Sequence, residues 1–168
     1  MSDIFYDQEI LTSRFILRPL DVTDISDRYV SWLSDESTSK YISTRLSLTD
    51  LRDYVIARTH RDDVLFLGIF NKINGLYIGN IKYEPIEVER HQATMGILIG
   101  EKDWRGKGVA SEVIIASAIT LNRLLKIENI LLGVNKSNLA AIRAFEKVGF
   151  KKKSCCAESQ QMQFNLNK

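Results

Sequence analysis

The chain has 168 residues and a net charge of +2, with 45% hydrophobic and 26% charged residues. This composition is that of a globular protein, and the length suits one domain with a substantial core. The near-neutral charge, with no basic run longer than Lys151–Lys153, disfavours a nucleic-acid partner. No apolar run is long enough to span a membrane and the first residues do not resemble a signal peptide, so we expect a cytoplasmic protein without a membrane partner.

The only two cysteines of the sequence, Cys155 and Cys156, are adjacent. Neighbouring cysteines disfavour a disulfide between them, and a lone pair without further spaced ligands does not match a metal-binding pattern. We therefore expect neither a structural disulfide nor a bound metal ion.

The first third of the chain predicts one strand and two helices. Alternation over residues 10–20 predicts a strand that stops at Pro19. Asp21 or Thr23 can cap a helix that runs to about Leu33. A second helix opens at residues 47–50, where the sequence S-L-T-D resembles a capping box.

Two further strands are predicted in the middle of the chain. Residues 64–70 and 76–83 are apolar, β-branched and aromatic runs, and the Asn74–Gly75 pair between them favours a hairpin. The polar segment 84–92 is expected to connect this hairpin to the next strand.

The central stretch, residues 93–118, predicts a strand, a glycine-bearing turn and a helix that begins at Val109. Gly96 inside the strand suggests a bulge or a close backbone approach. A glycine turn that leads into a helix directs free backbone N–H groups and the positive end of the helix dipole at one point. Arg105 and Lys107 add positive charge there, so the stretch predicts a phosphate-binding loop.

Two common phosphate-binding motifs do not fit this loop. Gly100 and Gly106 are one residue too far apart for a Walker A motif, and Gly108 stands where Ser or Thr would bind magnesium. A dinucleotide fingerprint fails as well, because Ser111 occupies the position of its third glycine. What remains is the pattern R-x-x-G-x-A over residues 105–110.

A second strand–helix unit follows. Residues 129–134 predict a strand, Asn138 is a good N-cap for a helix over 140–148, and Gly149 supplies its left-handed end. Strands are predicted from Phe150 and over 162–166. The whole order predicts an α/β protein with a mixed sheet.

These motifs together resemble the GCN5-related N-acetyltransferase (GNAT) family. The loop at 105–110 resembles the family's acetyl-CoA pyrophosphate loop, and N-L-A-A-I-R-A-F-E-K-V-G-F at 138–150 resembles its second motif. The segments T-S-R-F-I-L-R-P-L at 12–20 and I-G-N-I-K-Y at 78–83 resemble the RimJ/RimL (ribosomal-protein N-acetyltransferase) branch. The resemblance implies a single domain over residues 1–168. It also implies a mostly antiparallel sheet with helices on both faces and a splayed strand pair that holds acetyl-CoA.

The resemblance also implies where acetyl-CoA binds. Backbone groups of Ile97, Leu98 and Ile99 would bind the pantetheine arm like an added strand. An exposed amide near Leu98 or Ile99, which we assign to Leu98, would polarise the thioester carbonyl. The pyrophosphate and its surroundings would be bound by Arg105, Gly106, Lys107, Gly108, Val109, Ala110 and Asn138.

The implied reaction is direct attack of a primary amine on the thioester in a ternary complex, without a metal ion or a covalent enzyme intermediate. The attacking amine must be unprotonated, and the polar segment offers Glu84, Glu87, Glu89 and His91 as general bases. His91 has the most suitable ordinary pKa and Glu84 the better fixed position, so these two are ranked almost equally.

The sequence departs from the family at the general acid. Many relatives carry a Tyr where this chain has Phe145, and Ala141 replaces the Ser of the second motif. Ser137, Tyr83 or water remain as proton donors. The acceptor is left open between a protein N-terminal amine and a small amine such as a nucleotide-linked amino sugar. A non-catalytic acetyl-CoA-binding module is the alternative, and dimerisation through a sheet edge also stays open.

Overall fold

The fold is described here from a computed structural model, which covers residues 9–41 and 47–167. Its centre is an eight-stranded sheet with the order β1-β2-β3-β4-β5-β6-β8-β7. Every neighbouring pair is antiparallel except β5 and β6, which are parallel. This confirms the predicted mixed, mostly antiparallel sheet. The strands are β1 (Ile10–Leu11), β2 (Phe15–Pro19), β3 (Leu65–Asn71), β4 (Tyr77–Glu87), β5 (Gln92–Ile99), β6 (Asn129–Asn135), β7 (Lys151–Cys155) and β8 (Ser159–Asn165).

Helices cover both faces of this sheet, as predicted. The helices are α1 (Asp27–Ser34), α2 (Glu36–Ser39), α3 (Leu48–Thr59), α4 (Val109–Leu125) and α5 (Leu139–Val148). Buried residues of α4 and α5 share one hydrophobic cluster with the sheet, whereas those of α1 and α3 belong to a second cluster. Within the described ranges, no helix is long and apolar enough to cross a membrane.

The predicted first helix is divided in two. Asp21 caps only a short 3₁₀ turn, Val22–Asp24, and α1 begins after Ser26. The Asp24 carboxylate accepts the Asp21 N–H and also pairs with Arg18 at 2.7 Å, which closes the turn on itself. Ile25 then adopts an extended backbone and is fully buried, so burial of its side chain interrupts the helix.

Two other local predictions, a helix cap and a hairpin, are confirmed. The reciprocal capping box of Ser47 and Asp50 is present at the start of α3, and β3 and β4 form the predicted hairpin. The connector predicted over 84–92 is wrong in its first half, because β4 continues to Glu87. The buried side chain of Ile86 pairs with Ala93 after a register shift, and this contact prolongs the strand.

The parallel pair β5–β6 is joined along only part of its length. Three positions pair, from Gln92 with Asn129 to Thr94 with Leu131. Beyond them β5 continues to Ile99 on β4, and β6 continues to Asn135 on β8, so the two strands separate. The splayed strand pair is therefore confirmed.

The prediction of a bulge or a close backbone approach at Gly96 is wrong in both alternatives. Gly96 pairs with Lys82 in a regular register, and a Cβ at Gly96 would meet nothing within 4 Å. The irregular step between β4 and β5 lies instead at Tyr83/Ile86. The close backbone approach occurs just after β5, at Gly100, where a Cβ would lie 1.9 Å from the Trp32 ring.

Gly100→Ala tests this close approach. We expect the free energy of unfolding to fall by about 1–3 kcal/mol, because the Trp32 ring or the backbone must move to admit a methyl group. Urea denaturation measures the change. Gly133→Ala is the matched control, because a Cβ at Gly133 meets nothing within 4 Å. Equal stability of the two variants would contradict the contact.

Candidate active site

The separation of β5 from β6 opens a cleft of about 970 Å³ that reaches both faces of the sheet. On the α4–α5 side its lining includes Trp104, Val109, Ala110, Gly133, Asn138 and Phe145. On the α1–α3 side, which we call the acceptor face, the lining includes Tyr29, Thr38, Tyr54, Phe66, Asn80 and Lys82. The cleft can thus hold one ligand on each face, in contact through the gap.

The amino terminus of α4 supplies a row of backbone donors to this cleft. Between Gly106 and Glu112, within the described part of the chain, only the Glu112 N–H finds a hydrogen-bond acceptor. Gly106 and Gly108 have φ values of 71° and 74°, a left-handed conformation that glycine adopts without strain. The unpaired N–H groups and the helix dipole give this end of α4 a backbone geometry that favours an anion, and the phosphate-binding loop stays a prediction.

A cation that the sequence analysis missed lies beside this loop. Arg14 donates from Nη1 to the Lys107 carbonyl at 3.0 Å and from Nε to Glu112 at 2.7 Å. Desolvation acts to raise the pKa of Glu112, but hydrogen bonds from Thr12 and Arg14 outweigh it and lower the pKa. Arg14 thus fixes the loop and neutralises a carboxylate in the first turn of α4. Arg14 and Glu112 are 98 residues apart in the sequence, so no local pattern indicates this pair.

Arg105 is predicted to contact phosphate, but in the structure its side chain binds other parts of the protein. Its Nε donates to the Ile99 carbonyl at 2.9 Å and Nη2 to the Gly100 carbonyl at 3.0 Å, while Nη1 reaches Ser37 at 2.7 Å. The Arg105 N–H is also taken, by the Lys102 carbonyl. Arg105 therefore ties the end of β5 to α2. The Lys107 side chain stays near the loop, with Nζ 5.9 Å from the centre of the Trp104 ring.

The backbone of β5 presents alternate residues to the gap. In an antiparallel ladder, both backbone groups of a residue point to the same side. Gly100 donates to Ile78 of β4, and a Cβ at Gly79 would lie 2.2 Å from the Leu98 oxygen, so Gly100 and Leu98 face β4. The Ile99 carbonyl faces away from β4, because Arg105 binds it.

By this alternation, the N–H groups of Ile97 and Ile99 face the gap. Of the two residues predicted to offer the thioester amide, Leu98 therefore faces β4 and Ile99 faces the gap, and both line the cleft with their neighbours on β5. A sequence pattern fixes the strand but not which residues point to which edge.

Asn138 and Phe145 occupy the α5 wall of the cleft. The Oδ1 atom of Asn138 accepts the Ala141 N–H and caps the helix, as predicted. Its amide nitrogen, a donor, has no hydrogen-bond partner among the described residues, and Asn138 lines the cleft. The ring of Phe145 packs against Phe150, with centroids 5.8 Å apart.

The two candidate bases are not brought together. His91 lies at the paired end of β5, where its Nδ1 is 3.0 Å from the Lys126 carbonyl. Six residues of strand, about 20 Å, separate it from Ile97. His91 does not line the cleft, so the geometry offers it no contact with a bound amine.

Glu84 is closer, but three cations surround it. Its Oε2 accepts from Lys82 at 2.6 Å and from Arg58 at 2.9 Å, and its Oε1 accepts from Arg61 at 2.7 Å. Desolvation acts to raise the pKa of Glu84, but the hydrogen bonds and charges of Lys82 and Arg58 lower it overall. A carboxylate with a lowered pKa is a poor base, and Glu84 does not itself line the cleft. Its geometry is that of a residue that positions Lys82.

Glu84→Gln tests the ion cluster. At pH 7 we expect the free energy of unfolding to fall by about 1–3 kcal/mol, because three cations lose their shared carboxylate. Since the folded pKa is below the ordinary 4.5, this contribution is complete above pH 4.5 and disappears as the pH falls through the folded value. Urea denaturation from pH 7 to pH 3 measures it, with the exposed Glu89→Gln as control. A loss that does not depend on pH would contradict an electrostatic origin.

The observed features fit acetyl-CoA. Free N–H groups at the α4 terminus suit a pyrophosphate, and the unpaired edge of β5 suits the amides of a pantetheine arm. The opening between the faces suits a thioester that an acceptor must reach.

Comparisons with known proteins agree with this fit. An N-acetyltransferase 9-like protein of Caenorhabditis briggsae is 23% identical over 169 residues, covering 94% of this chain and 85% of that protein. Among solved structures, RimL, a ribosomal L7/L12 alpha-N-protein acetyltransferase in complex with coenzyme A, matches with a TM-score of 0.84 at 14% identity, over 95% of this chain and 99% of that one. Spermidine N-acetyltransferase from Vibrio cholerae, with CoA and spermine, matches with a TM-score of 0.82 at 18% identity, over 92% and 97%.

A family model decides the assignment. The acetyltransferase (GNAT) domain model matches residues 14–151, which include the splayed strands, the α4 terminus and α5. The chain therefore belongs to the GNAT family of acetyltransferases, and acetyl-CoA is its cosubstrate.

Proposed function

We propose that this protein is an N-acetyltransferase that moves the acetyl group of acetyl-CoA to a primary amine by direct attack in a ternary complex. The observation that carries the proposal is one continuous cleft that joins the amino terminus of α4 to the acceptor face through the gap between β5 and β6. Such a passage lets an amine on one face reach a thioester on the other.

The proposed cosubstrate contacts follow from the free backbone groups. The N–H groups of residues 106–111 bind the pyrophosphate, with the Asn138 amide nitrogen as a further donor. Ile97 and Ile99 bind the pantetheine arm along the open edge of β5, and the Ile97 N–H is the donor that polarises the thioester carbonyl.

Proton transfer at this site relies on solvent and on the amine itself. Within the described residues, no Asp, Glu or His lines the cleft, so we propose that water removes the amine proton. An α-amine, with an ordinary pKa near 8, needs less help than a lysine-like amine. Tyr83 is fully buried against Ser117, and the Ser137 hydroxyl donates to Asn135 Oδ1 at 2.8 Å. Neither residue lines the cleft, so we propose water as the donor to the departing thiolate.

The names of the structural neighbours include both kinds of acceptor that the sequence left open. RimL is named as an acetyltransferase of a ribosomal protein, and the Vibrio cholerae protein as one of spermidine. We propose a protein N-terminal amine or a small amine such as a nucleotide-linked amino sugar, in a cytoplasmic protein of the RimJ/RimL branch. A homodimer through a sheet edge stays a prediction.

Ser111→Glu tests the cosubstrate site. Ser111 lies in the first turn of α4 and lines the cleft, where a carboxylate is compatible with the helix but repels a phosphate. We expect the Kd for acetyl-CoA, measured by calorimetry, to rise on the order of 10- to 100-fold. Ser111→Gln has the same size without the charge and serves as control. Equal affinities of the two variants would place the pyrophosphate elsewhere.

Thiol release from acetyl-CoA tests the activity itself. A colorimetric thiol reagent would follow the reaction against N-terminal peptides, polyamines, aminoglycosides and nucleotide-linked amino sugars, with mass spectrometry of the product. We expect amine-dependent thiol release and an amide product with at least one class. Acetyl-CoA binding without turnover on any amine would favour the non-catalytic binding module.

A further inference from the structure

Within the described residues, the acceptor face of the cleft is lined by the Lys82 ammonium and by no carboxylate. We propose that the acceptor amine carries an anionic group, a carboxylate or a phosphate, which the Lys82 ammonium binds. This inference deepens the proposed function and rests on it. It names the class of substrate and a specificity-determining residue.

Lys82 is held in place but is not saturated. Its Nζ donates to the Tyr54 hydroxyl and to Glu84, each at 2.6 Å, and lies over the rings of Tyr54 and Phe66, 5.2 and 5.8 Å from their centres. An ammonium has three N–H donors, so one has no partner among the described residues. Lys82 lines the cleft with 23% of its side chain exposed, so this donor is available to a ligand.

The position of Lys82 is suitable for acceptor recognition. It pairs across the sheet with Gly96, which has no side chain to cover it and precedes the gap-facing amide of Ile97. A group bound by Lys82 therefore lies on the acceptor face next to the proposed thioester position. The anion and the reacting amine can belong to one small molecule or to one peptide terminus.

Lys82 belongs to an ion-pair cluster in which cations outnumber carboxylates. Glu84 is shared among Lys82, Arg58 and Arg61, and Asp63 pairs with Arg61 at 2.7 Å. Within this cluster, three cations share two carboxylates. Because the Glu84 carboxylate is shared among three cations, it balances the charge of Lys82 only in part, and Lys82 can attract a further anion.

Carboxylates close to the cleft are engaged elsewhere. Asp35 accepts from Lys102 at 2.8 Å and from Ser37 and Arg105, and Glu101 accepts from Trp32 and Arg28. Neither lines the cleft, where the charged side chains of the described residues are all cationic. A polycation such as a polyamine or an aminoglycoside would therefore meet repulsion without a compensating carboxylate.

The test compares matched acceptors. One set consists of short peptides with a free N-terminal serine and aspartate, asparagine or lysine at the second position. The other set is glucosamine 6-phosphate, glucosamine and spermidine. For each, kcat/KM is measured by thiol release, and binding to the CoA-saturated protein is measured by calorimetry. The first set reports a carboxylate source and the second a phosphate source.

We expect the anionic member of at least one set to be preferred over its neutral counterpart by about 10- to 100-fold, as for a charge-assisted hydrogen bond. The cationic acceptors should be the poorest. Lys82→Met should reduce the preference to below about 3-fold, and Lys82→Arg should retain it. Lys151→Met, on the exposed strand β7, is the matched control and should behave as the unaltered protein.

Two results would overturn the inference. One is equal or tighter binding of the lysine peptide or spermidine than of either anionic acceptor. The other is an anion preference that persists in Lys82→Met. Failure of the proposed function gives a different pattern. If calorimetry shows an anion preference that depends on Lys82 but no amine causes thiol release, the transfer reaction is refuted and the anion-binding site is supported.

Discussion

The structure depends on the point at which β5 and β6 stop pairing. Each strand keeps a complete partner on its other edge, β4 for β5 and β8 for β6, so the sheet remains stable while one internal edge opens. Backbone groups along an open edge need partners from water or a ligand. The separation after Thr94 and Leu131 therefore creates both the cleft and its donors and acceptors.

Arg105 closes the far end of this open edge. Its guanidinium binds the carbonyls of Ile99 and Gly100 and reaches Ser37 and Thr38 near α2. The close contact of Gly100 with Trp32 fixes the same point from α1. The chain thus leaves β5 in a defined direction and enters the glycine turn that begins α4. A rigid exit from the strand is what aims the N–H groups of α4 at the gap.

Local patterns predicted most of the elements but not the charges that act at the site. Strand alternation, the capping box of Ser47 and Asp50, and the N-cap at Asn138 depend on neighbours in sequence, and these predictions were confirmed. The roles of Arg105, Arg14 and Glu84 depend on partners that only folding brings together. Glu84 read as an available carboxylate at a strand end, whereas Arg58 and Arg61 converge on it from the end of α3. The register of β5 on β4 likewise determines that the Leu98 N–H faces β4 and the Ile99 N–H faces the gap.

A cosubstrate site built from backbone groups places few demands on side-chain identity. The proposed site needs glycines with positive φ and an open strand edge rather than particular side chains. The TM-scores above 0.8 at 14–18% identity to RimL and the spermidine enzyme show a common fold at low sequence identity. The choice of acceptor then depends on the side chains of the acceptor face. Where a polycation is the acceptor, carboxylates must balance its charge. The described cleft carries Lys82 and no carboxylate, so charge argues for a different acceptor on the same fold.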